Sequence, residues 1–226
     1  MNYARIIRGA MSAIVRYGTR LRVVGDDQAR QLKGGSIFTA NHLGILDGMI
    51  TYHVAWQKDL IVLLAEKYRK NKFMRWAGGQ MDVIFIDRFN ADLGAFLQVY
   101  RRLKGGGVLM IAPEGTRSTS GAMLEGRPGA AYLALKAGCP VVPVGITGSQ
   151  DENVRSHWRR LRRPEMQVRF GKPYRLIEDP SLSREANIER SIVEIMCQIG
   201  ALLPESYRGV YRDHPRLNDL LHQTEA

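Results

Sequence analysis

Short apolar, β-rich runs alternate with stretches of helical periodicity along most of this chain, and no other feature restricts its fold as strongly. Residues 36–40, 60–64, 83–86, 108–111 and 141–144 read as buried strands, while 67–76, 91–103 and 129–136 read as helices. Such alternation predicts an α/β domain: a largely parallel central sheet flanked by helices in layers. Residues 166–170 add a strand-like run, residues 184–203 a helix that Pro204 ends, and the tail from Glu205 carries no motif. At 226 residues with 45% apolar content the chain can bury one sizeable core, so 19–226 is read as one domain behind a helix in 1–18.

On a helical wheel, residues 3–17 place Arg5, Arg8, Ser12 and Arg16 on one side and Ile6, Ile7, Ala10, Met11, Ile14, Val15 and Tyr17 on the other. Such a helix spans only about 22 Å and carries three arginines, too short and too charged to cross a bilayer. The expectation is an amphipathic helix lying at a membrane interface; the alternative is a helix packed on its own domain. Arg16 breaks the apolar stretch and no clean small-residue cleavage site follows, which disfavours a signal peptide.

Lys and Arg number 33 against 22 Asp and Glu, a formal charge of +11, so an anionic partner is expected: nucleic acid, a membrane surface or a phosphorylated substrate. Arg155, His157, Trp158, Arg159, Arg160, Arg162 and Arg163 concentrate that charge. They would either dock membrane phosphates or an anionic cofactor tail, or form a solvated basic loop. The two cysteines, Cys139 and Cys197, have no motif partner and read as small buried residues.

The stretch 39–47, reading TANHLGILD, puts His42 and Asp47 five positions apart at the end of an apolar run. Within one helix such positions lie about 140° apart and do not face each other, so a contact between them requires a turn. A strand over 36–40, a turn through Asn41 and Gly44, and a helix from Leu46 would point Asp47 back at His42. The carboxylate would hold one ring nitrogen and leave the other to take a proton, making His42 a general base. A hydrogen-bonded structural histidine is the plainer alternative.

A second cluster, residues 112–118, leaves the strand over 108–111 with Glu114, Gly115, Thr116 and Arg117 in succession. Arg117 can bind phosphate through its planar fork, Gly115 lets backbone approach a ligand, and Glu114 would orient Arg117 or accept from a substrate hydroxyl. Arg88, just past the strand over 83–86, is a further phosphate candidate, its alternative being a surface ion pair. Loops leaving the carboxyl ends of parallel strands build sites, so His42, Asp87–Arg88 and residues 114–117 should gather at one sheet edge. There is no GxSxG elbow, residues 121–128 lack the Lys and Ser or Thr of a phosphate loop, and the histidine spacings suit no metal site.

Taken in order, Asn41-His42 with Asp47, Phe85-Ile86-Asp87-Arg88, Pro113-Glu114-Gly115-Thr116-Arg117-Ser118 and Val141-Val142-Pro143-Val144 resemble the four blocks of the glycerolipid acyltransferases. The likeness covers roughly 20–175 and is closest to the bacterial 1-acylglycerol-3-phosphate type. It implies an enzyme at the cytoplasmic face of the cell membrane, peripheral or monotopic, that moves a fatty acyl group to the free hydroxyl of lysophosphatidic acid. The donor would be acyl-CoA or acyl carrier protein, used as substrate, with no further cofactor and no metal. By position, His42 of the His-X4-Asp motif would be the base and Asp47 its orienting carboxylate. Arg88 and Arg117 would grip phosphate, Glu114, Gly115 and Thr116 would shape the glycerol pocket, and Asn41 and Pro143 would support it. The resemblance also implies that the 141–144 strand lies near the acyl and thioester site. Ala112 stands where the family often has Phe, and the amino-terminal helix is shorter than the membrane motif of some members. The same chemistry on glycerol 3-phosphate or another lysophospholipid fits the four blocks as well. A non-catalytic binder of anionic lipid or nucleic acid would need neither His42 nor Asp47, and aromatics are not interleaved with the cations, so no nucleic-acid partner is expected.

Overall fold

A computed structural model describes residues 2–54, 59–87 and 92–225. Seven strands form one sheet: β1 (Arg20–Val24), β2 (Ser36–Ala40), β3 (Leu60–Ala65), β4 (Ile84–Ile86), β5 (Val108–Ile111), β6 (Val141–Thr147) and β7 (Glu165–Phe170). Their order across the sheet is β1-β7-β6-β2-β5-β3-β4. Every pairing is parallel except β6 with β7, which is antiparallel.

Both faces of the sheet are covered, which is why its central strands are apolar without a polar side. Successive side chains on a strand point to opposite faces, and the core divides accordingly. Ile37, Ile61, Leu109 and Val141 pack under α5 (Leu93–Lys104), α6 (Gly129–Ala137) and α8 (Arg184–Gly200). Phe38, Val142, Val144 and Val168 pack under α1 (Tyr3–Gly18), α3 (Leu46–Val54) and α7 (Asp151–Arg159). The expected layered α/β fold is present. Cys139 and Cys197 are both buried and free, as read from the sequence.

Differences from the sequence reading have local causes. The single basic helix expected over 67–76 is broken. A 3-10 turn over Glu66–Lys70 ends at Asn71, whose side chain accepts from the N–H of Met74 at 3.0 Å and caps a new helix, α4 (Lys72–Gln80). β1 and the short helix α2 (Asp27–Arg30) carry no apolar run and were not expected; β1 exists because it pairs with β7. The tail forms two 3-10 turns and α9 (Pro215–Glu225). The cationic stretch is largely helical, as α7, and its Arg163 is not free for an anion: it donates to the carbonyls of Arg16 and Thr19 at the end of α1.

Helix α1 packs on α3, burying Val15 completely. The face turned inward draws on both sides of the wheel: Ile7, Met11 and Val15 come from the apolar side, and Arg8 and Ser12 from the other. Arg8 lies 5.8 Å from the ring of Tyr52 and Ser12 is half-buried, while Ile6, Ala10, Ile14 and Tyr17 are exposed. Among the described residues no helix is long and apolar enough to cross a membrane.

Candidate active site

β2 and β5 are neighbours at the centre of the sheet, yet the chain leaves β2 towards β3 on one side and leaves β5 for β6 on the other. Such a reversal opens a crevice at the strands' carboxyl ends. A cavity of about 1160 Å³ lies there, lined by His42, Asp87, Gly115, Thr116 and Arg117 among others. That volume exceeds the roughly 300–1,000 Å³ usual for small-molecule sites. Its polar end is at His42 and Arg117; elsewhere Leu63, Ile86, Phe96, Val99 and Leu133 make the wall apolar.

At the end of β2 the chain turns sharply and starts α3, bringing His42 Nδ1 to 2.8 Å from Asp47 Oδ2. The same oxygen accepts from the N–H groups of Leu43 and Gly44, at 2.7 and 2.9 Å. Two fixed backbone donors already point at Oδ2, so the network assigns a hydrogen to Nδ1 and leaves Nε2 as the acceptor. The turn is crowded: a Cβ on Gly44 would lie 2.0 Å from the carbonyl oxygen of Ser149, which restricts that position to glycine. Asn41 supports it from below, its amide exchanging two hydrogen bonds with the backbone of Ile146, at 2.9 and 2.7 Å. The side chain thus extends the pairing of β2 with β6 past the last strand residue.

Glu114 is placed differently from expectation. It is only 2% exposed and neither orients Arg117 nor lines the cavity. Its two oxygens accept from the N–H of His42 at 3.0 Å and of Leu124 at 2.9 Å. Ser118 N–H donates to the His42 carbonyl at 2.8 Å, so the histidine's backbone is held at both ends. Burial pushes the Glu114 carboxyl up to about 7, against the pull of its two backbone donors.

Arg117 is paired instead with Asp151, Nη1 to Oδ2 at 2.6 Å. The other Asp151 oxygen accepts from the N–H of Ile45 at 2.8 Å, which ties the arginine to the histidine turn. Gly115 has φ +70°, and a Cβ there would lie 2.7 Å from Arg127 Cδ. Pro143 is buried within β6, opposite Thr39, and does not line the cavity; the 141–144 run supports β2 and does not wall the site. Arg88 lies outside the described residues.

A family model described as Acyltransferase matches residues 20–147, more than half of the chain. The chain belongs to the acyltransferase family. It is 28% identical over 141 residues to a provisionally named 1-acyl-sn-glycerol-3-phosphate acyltransferase of Caenorhabditis elegans, covering 59% of this chain and 48% of that protein. To the human 1-acyl-sn-glycerol-3-phosphate acyltransferase alpha it is 35% identical over 101 residues, covering 43% and 34%. The chain therefore spans about half the length, or less, of the curated relatives it matches. The crystal structure of the 1-acyl-sn-glycerophosphate acyltransferase PlsC from Thermotoga maritima shares the fold, with a TM-score of 0.59, 19% identity, and coverage of 85% of this chain and 79% of that one.

Within this acyltransferase fold, the charged residues that line the cavity include Arg127 and Asp151, to which sequence reasoning gave no role, and Arg155, which it placed in the cationic stretch. Arg127 sits in the segment set aside as an imperfect phosphate loop. Its signal was Gly115, whose lack of a side chain makes room for it.

The Glu114 carboxyl yields a signed pH dependence. With its folded value near 7, above the unfolded value of 4.5, it keeps a proton on folding between those limits. The unfolded state binds fewer protons there, so this group makes stability fall as pH rises through that window, by roughly 1.4 kcal/mol per unit. Chemical denaturation of wild type and Glu114→Gln at pH 5, 6 and 7 checks this. The wild type should lose more stability between pH 5 and pH 7 than the variant does.

Proposed function

We propose that the chain catalyses acyl transfer from a thioester, acyl-CoA or acyl carrier protein, to the 2-hydroxyl of lysophosphatidic acid, giving phosphatidic acid. The observation that carries this reading is the division of labour on one imidazole. His42 Nδ1 is committed to Asp47, and Nε2 is the remaining ring nitrogen of a side chain lining a cavity that also holds Arg117, Arg127 and Arg155 and has an apolar wall. A phosphate held at Arg117 and an acyl chain along Leu63, Phe96 and Val99 would set the acceptor hydroxyl beside that nitrogen.

The hydroxyl proton passes to Nε2 as its oxygen attacks the thioester carbonyl carbon. A carbon–oxygen bond forms, the carbon–sulfur bond breaks, and the departing thiolate takes the proton back from the imidazolium. The products are an ester and a free thiol, with no acyl-enzyme. A thiolate leaves readily, so the demand on the protein is mainly proximity and a placed base. Asp47 holds the tautomer that makes Nε2 an acceptor, and Glu114 and Ser118 fix the backbone that carries the ring.

The reading includes peripheral attachment to an anionic membrane, on its cytoplasmic face, through the exposed stripe of α1. Tyr3 of that helix packs edge-on to Trp76 of α4 at 5.6 Å, beside the exposed Phe73, so apolar and aromatic groups of both helices form one outward patch. Lys70, Lys72 and Arg75 flank it, a pattern suited to the boundary between headgroups and acyl chains.

Purified protein offered oleoyl-CoA and a panel of lysophosphatidic acid, glycerol 3-phosphate and other lysophospholipids should release thiol with lysophosphatidic acid. His42→Ala should lower that rate roughly a hundredfold to ten-thousandfold; undiminished turnover would sink the assignment. Arg117→Ala should cost phosphorylated acceptors roughly tenfold to a hundredfold more in kcat/KM than monoacylglycerol, since a charge-assisted bond is lost only with the former. Equal losses would remove the phosphate role. Ile6→Glu with Ile14→Glu, both exposed positions, should reduce sedimentation with anionic vesicles while leaving the thermal midpoint in place; unchanged sedimentation would reject the α1 interface.

A further inference from the structure

Helix α7 ends in a backbone motif whose side chain contradicts it. The N–H of Arg162 bonds the carbonyl of His157 at 2.9 Å, and the N–H of Leu161 bonds that of Trp158 at 3.0 Å. This pair of bonds closes a helix through one left-handed residue, a position that glycine ordinarily fills. Leu161 fills it here, with φ +54°. Asp82, the other non-glycine residue with positive φ among the described residues, is of a type that tolerates the region; a leucine pays the steric cost of its Cβ. Nor does packing compensate, because Leu161 is 96% exposed. A bulky apolar side chain that neither suits its backbone nor touches the core gains nothing from the folded chain, and local conflicts of this kind mark functional positions.

Its surroundings indicate what it touches. Arg159, Arg160 and Arg162 are exposed on either side, and none forms an ion pair among the described residues. Trp158, 40% exposed, donates its indole N–H to the Gly18 carbonyl at 2.8 Å, which seats the turn against the end of α1 beside the 70% exposed Tyr17. An apolar tip ringed by guanidinium groups, with two aromatics next to it, matches an anionic lipid surface: the cations meet phosphates and the leucine enters the acyl boundary. A protein partner's acidic face would match the arginines but would leave an isolated leucine at the tip unexplained.

We infer that the Arg160–Arg162 turn is a second membrane anchor that inserts Leu161 into an anionic bilayer and fixes how the molecule is rotated about α1. This rests on the reading that the site serves a membrane lipid. The α1–α4 patch meets the surface at the Tyr3 end of α1; a contact at the end of α7, seated at Gly18, adds a second point that fixes the rotation. Helix α7 begins at Asp151 and passes Arg155, both of which line the cavity, before it reaches Arg159 and the turn. Pinning its far end therefore sets the side of the molecule that carries the cavity mouth against the lipid, where an acceptor can enter without crossing water.

The test uses the full chain and vesicles of phosphatidylcholine with phosphatidylglycerol. Leu161→Gly should weaken vesicle binding about tenfold, the loss of one partly inserted leucine, while the thermal midpoint stays level or rises because the left-handed strain is relieved. A leucine serving the fold would lower the midpoint and leave binding alone, and that result overturns the inference. Cys139 and Cys197 are buried, so Leu161→Cys offers one exposed thiol for an environment-sensitive dye. Its emission should shift to the blue with vesicles and be quenched by lipids carrying a quencher on the acyl chain. Emission that responds to acyl carrier protein and not to vesicles would reassign the turn to a protein partner. Acylation of a detergent-dispersed acceptor reports the reaction separately. Leu161-dependent vesicle binding without any acylation would sink the acyltransferase reading alone, whereas acylation with Leu161-independent binding would sink the anchor alone.

Discussion

One carboxylate oxygen, Asp47 Oδ2, organises the histidine turn. It gathers the His42 ring and the N–H groups of Leu43 and Gly44, three donors contributed by consecutive residues. A helix cannot bring positions five apart together, so the contact exists only because β2 ends and α3 begins within that span. The carboxylate then does two things at once: it satisfies the backbone of a tight turn and it dictates which ring nitrogen carries hydrogen. Fold and chemistry share a single atom here, so a change at Asp47 alters the turn and the tautomer together.

The support beneath that atom is less visible. Asn41 continues the ladder to β6 by side chain, Glu114 holds the His42 N–H, and Asp151 joins the Ile45 N–H to Arg117. Asn41 and Glu114 are buried, and such groups are stabilising only when fully partnered, while Asp151 is partly exposed. The histidine is therefore held by parts of the chain distant in sequence, each of which also serves the sheet edge. A histidine mounted so rigidly needs little reorganisation to keep its ring in place.

Legibility followed physical locality. β2 and β5 were readable to the residue because strands covered on both faces carry apolar side chains on each, with only Ser36 and Thr39 of β2 polar among them. The His42–Asp47 contact was readable because its constraint is local. β1 was not, since a strand alternating arginine with apolar residues at the sheet edge has no run to detect. The break at Asn71 was hidden by a continuous basic pattern, although the Asn71 side chain offers the Met74 N–H an alternative to the helical bond. Asp151 lies 34 positions from Arg117 and 106 from Ile45, so neither contact leaves a trace in spacing. Glu114 was misassigned for a related reason: a motif shows that a carboxylate sits beside Arg117 but not that it points away into the core.

The Arg117–Asp151 pair changes what the mouth of the cavity offers an approaching anion. A guanidinium already bridged to a carboxylate is no open positive charge, and whatever docks there must displace or share that partner. Entry is then an exchange of anions instead of a simple neutralisation. A weakly charged visitor such as chloride has little to offer in that trade, whereas a phosphate with several oxygens can hold the arginine while Asp151 keeps its bond to the turn. The resting molecule thus already holds an anion at Arg117, and that anion is tied to the turn that carries His42.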